Sequence, residues 1–158
     1  MKIKSSPVKS ELIQIKAELV KMMNQALKLE HAARIQYLAH SEDIHGLYSE
    51  PVIERLKEIA SDEQRHETMF RRMISDYLQG EVTMDLGPTH SAEGIDKILT
   101  VNAADEKKAI DFYKRIYQKI IDHKTELHYE FETLEHDLRH IIIDEQEHLV
   151  ELTRLMED

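Results

Sequence analysis

Apolar residues recur at alternating steps of three and four along most of the chain. That spacing puts them on one face of an α-helix packed into a bundle. Four such stretches can be separated. Helix A covers about 10–46, with Ser10 as its N-cap. Helix B covers about 50–79, with Ser49 as N-cap, Pro51 in the first turn and Gly80 as the stop. Helix C covers about 102–125, with Asn102 as N-cap, and helix D about 131–157. All four glycines and all three prolines fall at the ends of these stretches or between them. Residues 80–101 are too many for a tight hairpin and read as a crossover, with a short helix at about 92–99. Residues 1–9 are expected to be a flexible N-terminal segment of a single domain spanning 1–158. The expected fold is all-α, an antiparallel four-helix bundle with a long connection between B and C.

The stripes are interrupted at mid-height by polar residues. Helix B reads Val52, Leu56, Ile59, Glu63, His66, Phe70, Met73, and helix D reads Leu134, Leu138, Ile141, Glu145, His148, Leu152. Helix A carries Glu30 between Ala26 and Ala33, and helix C carries Glu106 between Asn102 and Ala109. A carboxylate in a core costs several kcal/mol unless it is paired or bound to a cation. Lys and Arg are absent from the middle of the stripes, so metal ions are the simplest counter-charge.

Two of these interruptions are the same motif. Asp-Glu-Gln-x-His occurs as Asp62–His66 and again as Asp144–His148. In each copy Glu and His stand three residues apart, on one helix face. Glu-x-x-His alone is weak evidence: a further copy, Glu42–His45, sits beside Gly46 and reads as a solvated helix end. The longer motif, twice in register with an apolar stripe, is specific. Helices A and C also match, since Glu30 precedes Tyr37 and Glu106 precedes Tyr113 by seven residues. The chain thus reads as a diverged repeat, A–B and C–D, related by a pseudo-twofold axis through the site. Asp105 and Glu126 remain alternatives to Glu106.

Four carboxylates and two divalent ions make a neutral set that can stay buried. Glu63 and Glu145 are expected to bridge the ions, Glu30 with His66 to complete one, and Glu106 with His148 the other. Carboxylate and imidazole donors suit iron, with manganese or zinc as substitutes. Asp62 and Asp144 are placed to accept a hydrogen bond from the far imidazole, of His148 and His66 respectively. Tyr37 and Tyr113 are candidate redox-active or hydrogen-bonding neighbours. His40 reads as a core residue, and His136 and His140 as solvated.

Composition narrows the partners. A net charge of −10 with 33% charged residues opposes a grip on nucleic acid or anionic membrane, and suits a protein that attracts cations. No apolar run is long enough to span a bilayer. With no cysteine there is no disulfide or thiolate site, and a cytoplasmic location is expected.

The combination of Glu30 with Ile35–His40, Asp62-Glu63-x-x-His66, Glu106 and Asp144-Glu145-x-x-His148 resembles the ferritin-like diiron-carboxylate superfamily, in its bacterioferritin and rubrerythrin-like branch. The resemblance runs over about 19–155. It implies a ferritin-like bundle with a diiron centre inside one subunit, reacting with O2 or H2O2. It further implies a ferroxidase that oxidises Fe(II) in iron handling or oxidative-stress defence. The alternatives are a rubrerythrin-like peroxidase with an external electron donor, or a diiron oxidase or oxygenase of an organic substrate. Gln64 stands where related bacterioferritins have a haem-ligating methionine, so no haem is expected. Ala109 stands where rubrerythrins usually carry a further glutamate, and no cysteine is present for a rubredoxin-type iron. Only ten residues follow His148, so the short fifth helix of cage-forming ferritins is not expected. Ferritin-like bundles commonly expose an apolar A–B face, so the resemblance implies a homodimer or a larger homo-oligomer.

Overall fold

The computed structural model describes residues 7–157. Four helices make up the fold: α1 (Pro7–Asp43), α2 (Glu50–Arg72), α3 (Ile95–Asp122) and α4 (Phe131–Glu157). No strand occurs among the described residues. The helices form a four-helix bundle in which α1 packs on α2, α3 packs on α4, and the two hairpins face each other.

Several boundaries differ from the sequence reading. α1 starts at Pro7, so Ser10 lies inside it and is no cap. Residues 7–9 of the expected flexible segment are helical, and 1–6 lie outside the described residues. Ser49 is the N-cap of α2 by position, but its hydroxyl donates to Gly46 O (2.7 Å) rather than to the helix. α2 runs on into a π-helical turn, Met73–Tyr77. The wider turn puts Met73 and Leu78, five apart, on the buried face together.

The larger correction is to helix C. α3 begins at Ile95, absorbing the short helix expected at 92–99, so the connection shrinks to 78–94. Asn102 is not a cap but lies two turns inside the helix, 1% exposed, with its amide donating to Ile98 O (2.8 Å) and His40 Nδ1 (2.9 Å). Gly94 is the true N-cap, at φ 85°, a backbone conformation that favours glycine.

The connection runs up the flank of α1 as an extended strap. Several of its backbone polar groups bond to α1. Asn24 bonds Glu81 O and Thr83 N (2.8 and 2.9 Å), and the His31 ring donates to Asp85 O (2.7 Å). The Gly87 N–H donates to Lys28 O (3.0 Å), and the His90 N–H to Gln36 Oε1 (2.6 Å). A Cβ at 87 would stand 3.0 Å from Lys28 O, so a larger residue would push the strap off α1 by a few tenths of an ångström.

The core is in two pieces. One gathers Leu19, Met23, Phe70, Met73, Ile116, Leu134 and Leu138 at one end of the bundle. The other gathers Ile44, Leu56, Ile59, Ile98, Leu99 and Leu152 at the opposite end. Each fully buried Leu or Phe contributes about 1.5–3 kcal/mol of transfer free energy. Between the clusters lies a buried polar layer, built from the residues that broke the stripes.

Candidate metal centre

Six polar side chains converge in that layer. Glu30 comes from α1, Glu63 and His66 from α2, Glu106 from α3, and Glu145 and His148 from α4, each 4% exposed or less. They form two overlapping groups whose potential donor atoms lie within 4.8 Å of one another. One is Glu30, Glu63, His66 and Glu145, and the other is Glu63, Glu106, Glu145 and His148. Glu63 and Glu145 belong to both. Asp105 and Glu126 lie elsewhere: Asp105 binds Gln36 and His90, and Glu126 faces His123 at 3.8 Å.

The Nε2–H of His66 donates to Asp144 Oδ2, and that of His148 to Asp62 Oδ2, both at 3.0 Å. These bonds cross from α2 to α4 and turn each Nδ1 inward. Arg65 then ties the two aspartates together, at 2.8 Å to Asp62 Oδ1 and 2.8 Å to Asp144 Oδ2. Sequence reasoning did not single out Arg65. It occupies the variable place of the first motif, so repetition gave no signal for it.

Each tyrosine serves the opposite helix. Tyr37 of α1 donates to Glu106 Oε1 (2.5 Å), and Tyr113 of α3 donates to Glu30 Oε1. Seven residues are about 10 Å of helix. Antiparallel packing therefore brings Tyr113 level with Glu30 and Tyr37 level with Glu106.

Four buried side-chain atoms in the layer have no hydrogen-bond partner: Glu30 Oε2, Glu63 Oε1, Glu145 Oε1 and His148 Nδ1. His66 Nδ1 approaches Glu145 Oε1 to 2.8 Å, but its hydrogen bond is to Glu63 Oε2 (3.2 Å). Unpartnered buried acceptors are rare and costly. Here they point at one another, which is the arrangement expected of ligands around small cations. The residues present thus fit two divalent ions in donor type, number and charge.

Protonation in the metal-free site follows from crowding. Burial, then the charges of Glu145 and Glu30, pushes Glu63 well above the usual carboxylate range. Burial and Glu145 do the same to Glu106. Burial opposes ionisation of Glu145 too, but its contacts with Glu106, His148 and His66 hold it well below that range. Burial disfavours imidazolium, yet the surrounding carboxylates outweigh it and raise both His66 and His148. Burial and the neighbouring glutamates raise Tyr37 and Tyr113, which stay neutral donors. Protons therefore occupy this site when cations do not, and metal binding must expel them.

Two further buried acids escaped the sequence reading. Glu67 is held by Arg34 (2.5 Å) and Asp137 by Arg72 (2.5 Å), away from the cluster. His136, His140 and His45 are exposed, and His40 is buried in the network with Asn102 and His90.

A family model described as rubrerythrin matches residues 21–156. The chain belongs to the rubrerythrin family. Solved structures agree on the fold of this rubrerythrin-family chain. A ferritin-like diiron-carboxylate protein from Bacillus anthracis str. Ames is 24% identical, with a TM-score of 0.80 over 90% of this chain and 97% of that one. The bacterioferritin of Desulfovibrio desulfuricans is 23% identical, with a TM-score of 0.80 over 92% of this chain and 82% of that one. The bacterioferritin-related protein of Bacteroides fragilis, described as a dodecameric thioferritin, is 23% identical, with a TM-score of 0.77 over 94% of each. No curated protein matches the sequence.

Proposed function

We propose that the chain is a non-haem diiron protein that oxidises Fe(II) with O2 or H2O2, serving iron handling or oxidative-stress defence. The observation that carries this reading is the set of four unpartnered buried donor atoms, converging where two ligand groups share Glu63 and Glu145. In this reading Glu30, Glu63, His66 and Glu145 would hold one iron and Glu63, Glu106, Glu145 and His148 the other. Manganese or zinc would fit the same donors.

Iron held there would supply reversible Fe(II)/Fe(III) chemistry toward dioxygen or peroxide. The protein residues set the stage for it. Asp144 and Asp62 hold the Nε2–H of His66 and His148, so each Nδ1 faces the centre and would offer its lone pair once a cation has displaced the proton. Tyr113 and Tyr37 each occupy one oxygen of Glu30 and Glu106, leaving the other oxygen to bind. The two apolar clusters keep bulk water out from both ends. The acidic chain, at −10, concentrates the cationic substrate.

Membership of the rubrerythrin family supports a second reading, peroxide reduction with electrons from a separate donor. Ala109, in place of the extra glutamate, counts against it. Both readings are of a cytoplasmic protein assembled as a homodimer or larger homo-oligomer. No helix among the described residues is long and apolar enough to cross a membrane.

The test is aerobic addition of Fe(II) to the metal-free protein. A fast rise in near-ultraviolet absorbance should saturate at about two irons per chain. Glu63→Ala and Glu145→Ala should abolish it. A phase that survives both substitutions would remove the ferroxidase reading. Peroxide consumption with a reductant, faster than Fe(II) turnover, would replace it with the peroxidase. Sedimentation separates a dimer from larger assemblies.

A further inference from the structure

Beside the carboxylate cluster lies a cavity of about 180 Å³, between α1 and α3 and beneath the strap. Glu30, Glu63, Glu106 and Glu145 form its inner end. Its walls there are small or apolar: Leu29, Ala32, Ala33, Pro88 and Ala109. We propose that this cavity is a binding site for an uncharged, mostly apolar molecule of about one ring in size, held against the paired site. The assignment of that ligand to an active centre rests on the metal reading above, whereas the binding itself does not.

Size is the first argument. A water molecule takes about 30 Å³ of liquid volume, and an apolar protein cavity of about 150 Å³ holds benzene. Dioxygen and peroxide have two heavy atoms each, so the space exceeds what either oxidant needs by several-fold. The room comes from two equivalent alanines. Ala33 and Ala109 each stand three residues, one helical turn, after a carboxylate of the cluster, Glu30 and Glu106. A long side chain at either place would fill the cavity.

Polarity is the second argument. A hydrated cation needs polar walls, and these are methyls and a proline ring. The polar groups at the outer rim are already committed to one another. Gln36 Nε2 donates to Asn102 Oδ1 (2.8 Å) and Asp105 Oδ2 (2.9 Å), and the His90 ring donates to Asp105 (2.9 Å). Lys108 stands 3.9 Å from Asp105 with its side chain 75% exposed, so its ammonium is solvated. The rim therefore offers an ionic ligand no buried charge and no buried free donor. Only the inner end, at the carboxylates, could receive a single polar group.

The test uses the whole chain, metal-free and zinc-loaded, with benzene as the probe and benzoate as the charged control. Benzene should bind saturably with a Kd of about 1 mM or tighter, shifting the methyl resonances of Ala33, Ala109 and Leu29. Benzoate should bind at least about tenfold more weakly. Ala109→Leu should weaken benzene by about tenfold or more, with helix content and zinc stoichiometry retained. Ala33→Leu repeats the test from the other wall should the first variant fold poorly. Absence of saturation, shifts located elsewhere, equal binding of benzoate, or unchanged affinity in a folded leucine variant would each overturn the proposal. The metal reading fails separately. Loss of the Fe(II) phase with benzene binding intact would remove only the ferroxidase, and the reverse result would remove only this pocket.

Discussion

On α2 the residue before the histidine is Arg65, and on α4 it is Glu147. Around these two places the halves of the site diverge. His66 Nδ1 lies 2.8 Å from Glu145, 3.2 Å from Glu63 and 3.5 Å from Glu30. His148 Nδ1 has no carboxylate nearer than 3.5 Å and no hydrogen bond. The donor residues obey the pseudo-twofold axis, but the contacts among them do not. Symmetry of residue type thus specifies what the site can hold, whereas the departures specify which groups are charged when it holds nothing. Glu63 and Glu145 are the clearest case, equivalent by sequence and opposite in ionisation.

That difference can be broken by substitution. Both Glu63→Gln and Glu145→Gln remove a shared ligand, so both should reduce iron binding from about two ions to one or fewer per chain. Without metal they should part company. Burial and crowding raise Glu63 toward its neutral form, and Gln replaces it by a neutral group of equal size, with a stability change of about 1 kcal/mol or less. Glu145, held toward its charged form, stands 2.8 Å from His66 Nδ1 and 3.7 Å from His148 Nδ1. Its loss should cost about 3–5 kcal/mol, or roughly 10 °C in Tm. Thermal melts of the two metal-free variants decide it, and equal Tm values would mean that the charge is shared evenly.

The same charges predict an unusual pH response. Glu63 and Glu106 are raised above 4.5, and His66 and His148 above 6.5. From the first of these values upward the native metal-free chain therefore holds more protons than the unfolded chain. Stability from these groups is full below their unfolded values and declines as pH rises toward their folded ones. The slope is about 1.4 kcal/mol per pH unit for each extra proton held. Glu145 and Asp144 are lowered and act oppositely, losing their contribution in acid, below about pH 4.5. Metal-free Tm should thus fall as pH rises above about 6.5, where all four raised groups hold protons that the unfolded chain has lost, while the metal-loaded protein, its protons displaced, should change little. A flat metal-free profile would contradict the crowded-carboxylate picture.

How much of this was legible follows from what periodicity can carry. Alternating steps of three and four marked four helices, and the polar residues inside the stripes marked the level of the site. Both signals are local, and both survive in one sequence. Asn102 misled because a polar residue in a stripe resembles a helix start. Its burial depends on His40 and Gln36, more than sixty residues away. Tyr37 and Tyr113 were placed on the right faces, but their exchange of partners follows from antiparallel packing. The cavity left no trace because alanine is silent in an apolar pattern. Space is a property of what faces a residue, not of the residue itself.

The tyrosines offer a smaller perturbation of the two halves. Tyr37→Phe and Tyr113→Phe each remove one donor from a buried carboxylate, at a cost of about 1–3 kcal/mol by urea unfolding. Glu106 and Glu30 both adjoin Glu145 within their ligand groups. The double variant should therefore depart from the sum of the singles by about 0.5 kcal/mol or more. Strict additivity would mean that the two halves do not communicate through the shared glutamates.

The smallest effect isolates the asymmetry itself. Arg65 spans Asp62 and Asp144, each of which holds the far imidazole, so one guanidinium steadies both halves from outside. Its side chain is 55% exposed, and solvent screens most of its attraction. Arg65→Ala should therefore cost only about 0.5–1 kcal/mol, and less in 1 M salt, where charges are screened beyond about 3 Å. Glu147 is exposed and makes no such bridge, so Glu147→Ala should change stability by less than about 0.5 kcal/mol. Arg65→Lys separates geometry from charge. An ammonium keeps the charge but lacks the planar fork that reaches two carboxylates at once, so it should restore less than half of the loss. The Nε2–H resonances of His66 and His148 report the same bridge directly. Both should exchange faster with solvent in Arg65→Ala and keep their native rates in Glu147→Ala. Equal behaviour of the two variants would mean that the aspartates hold the imidazoles unaided, and that the difference between the motif copies ends at the helix surface.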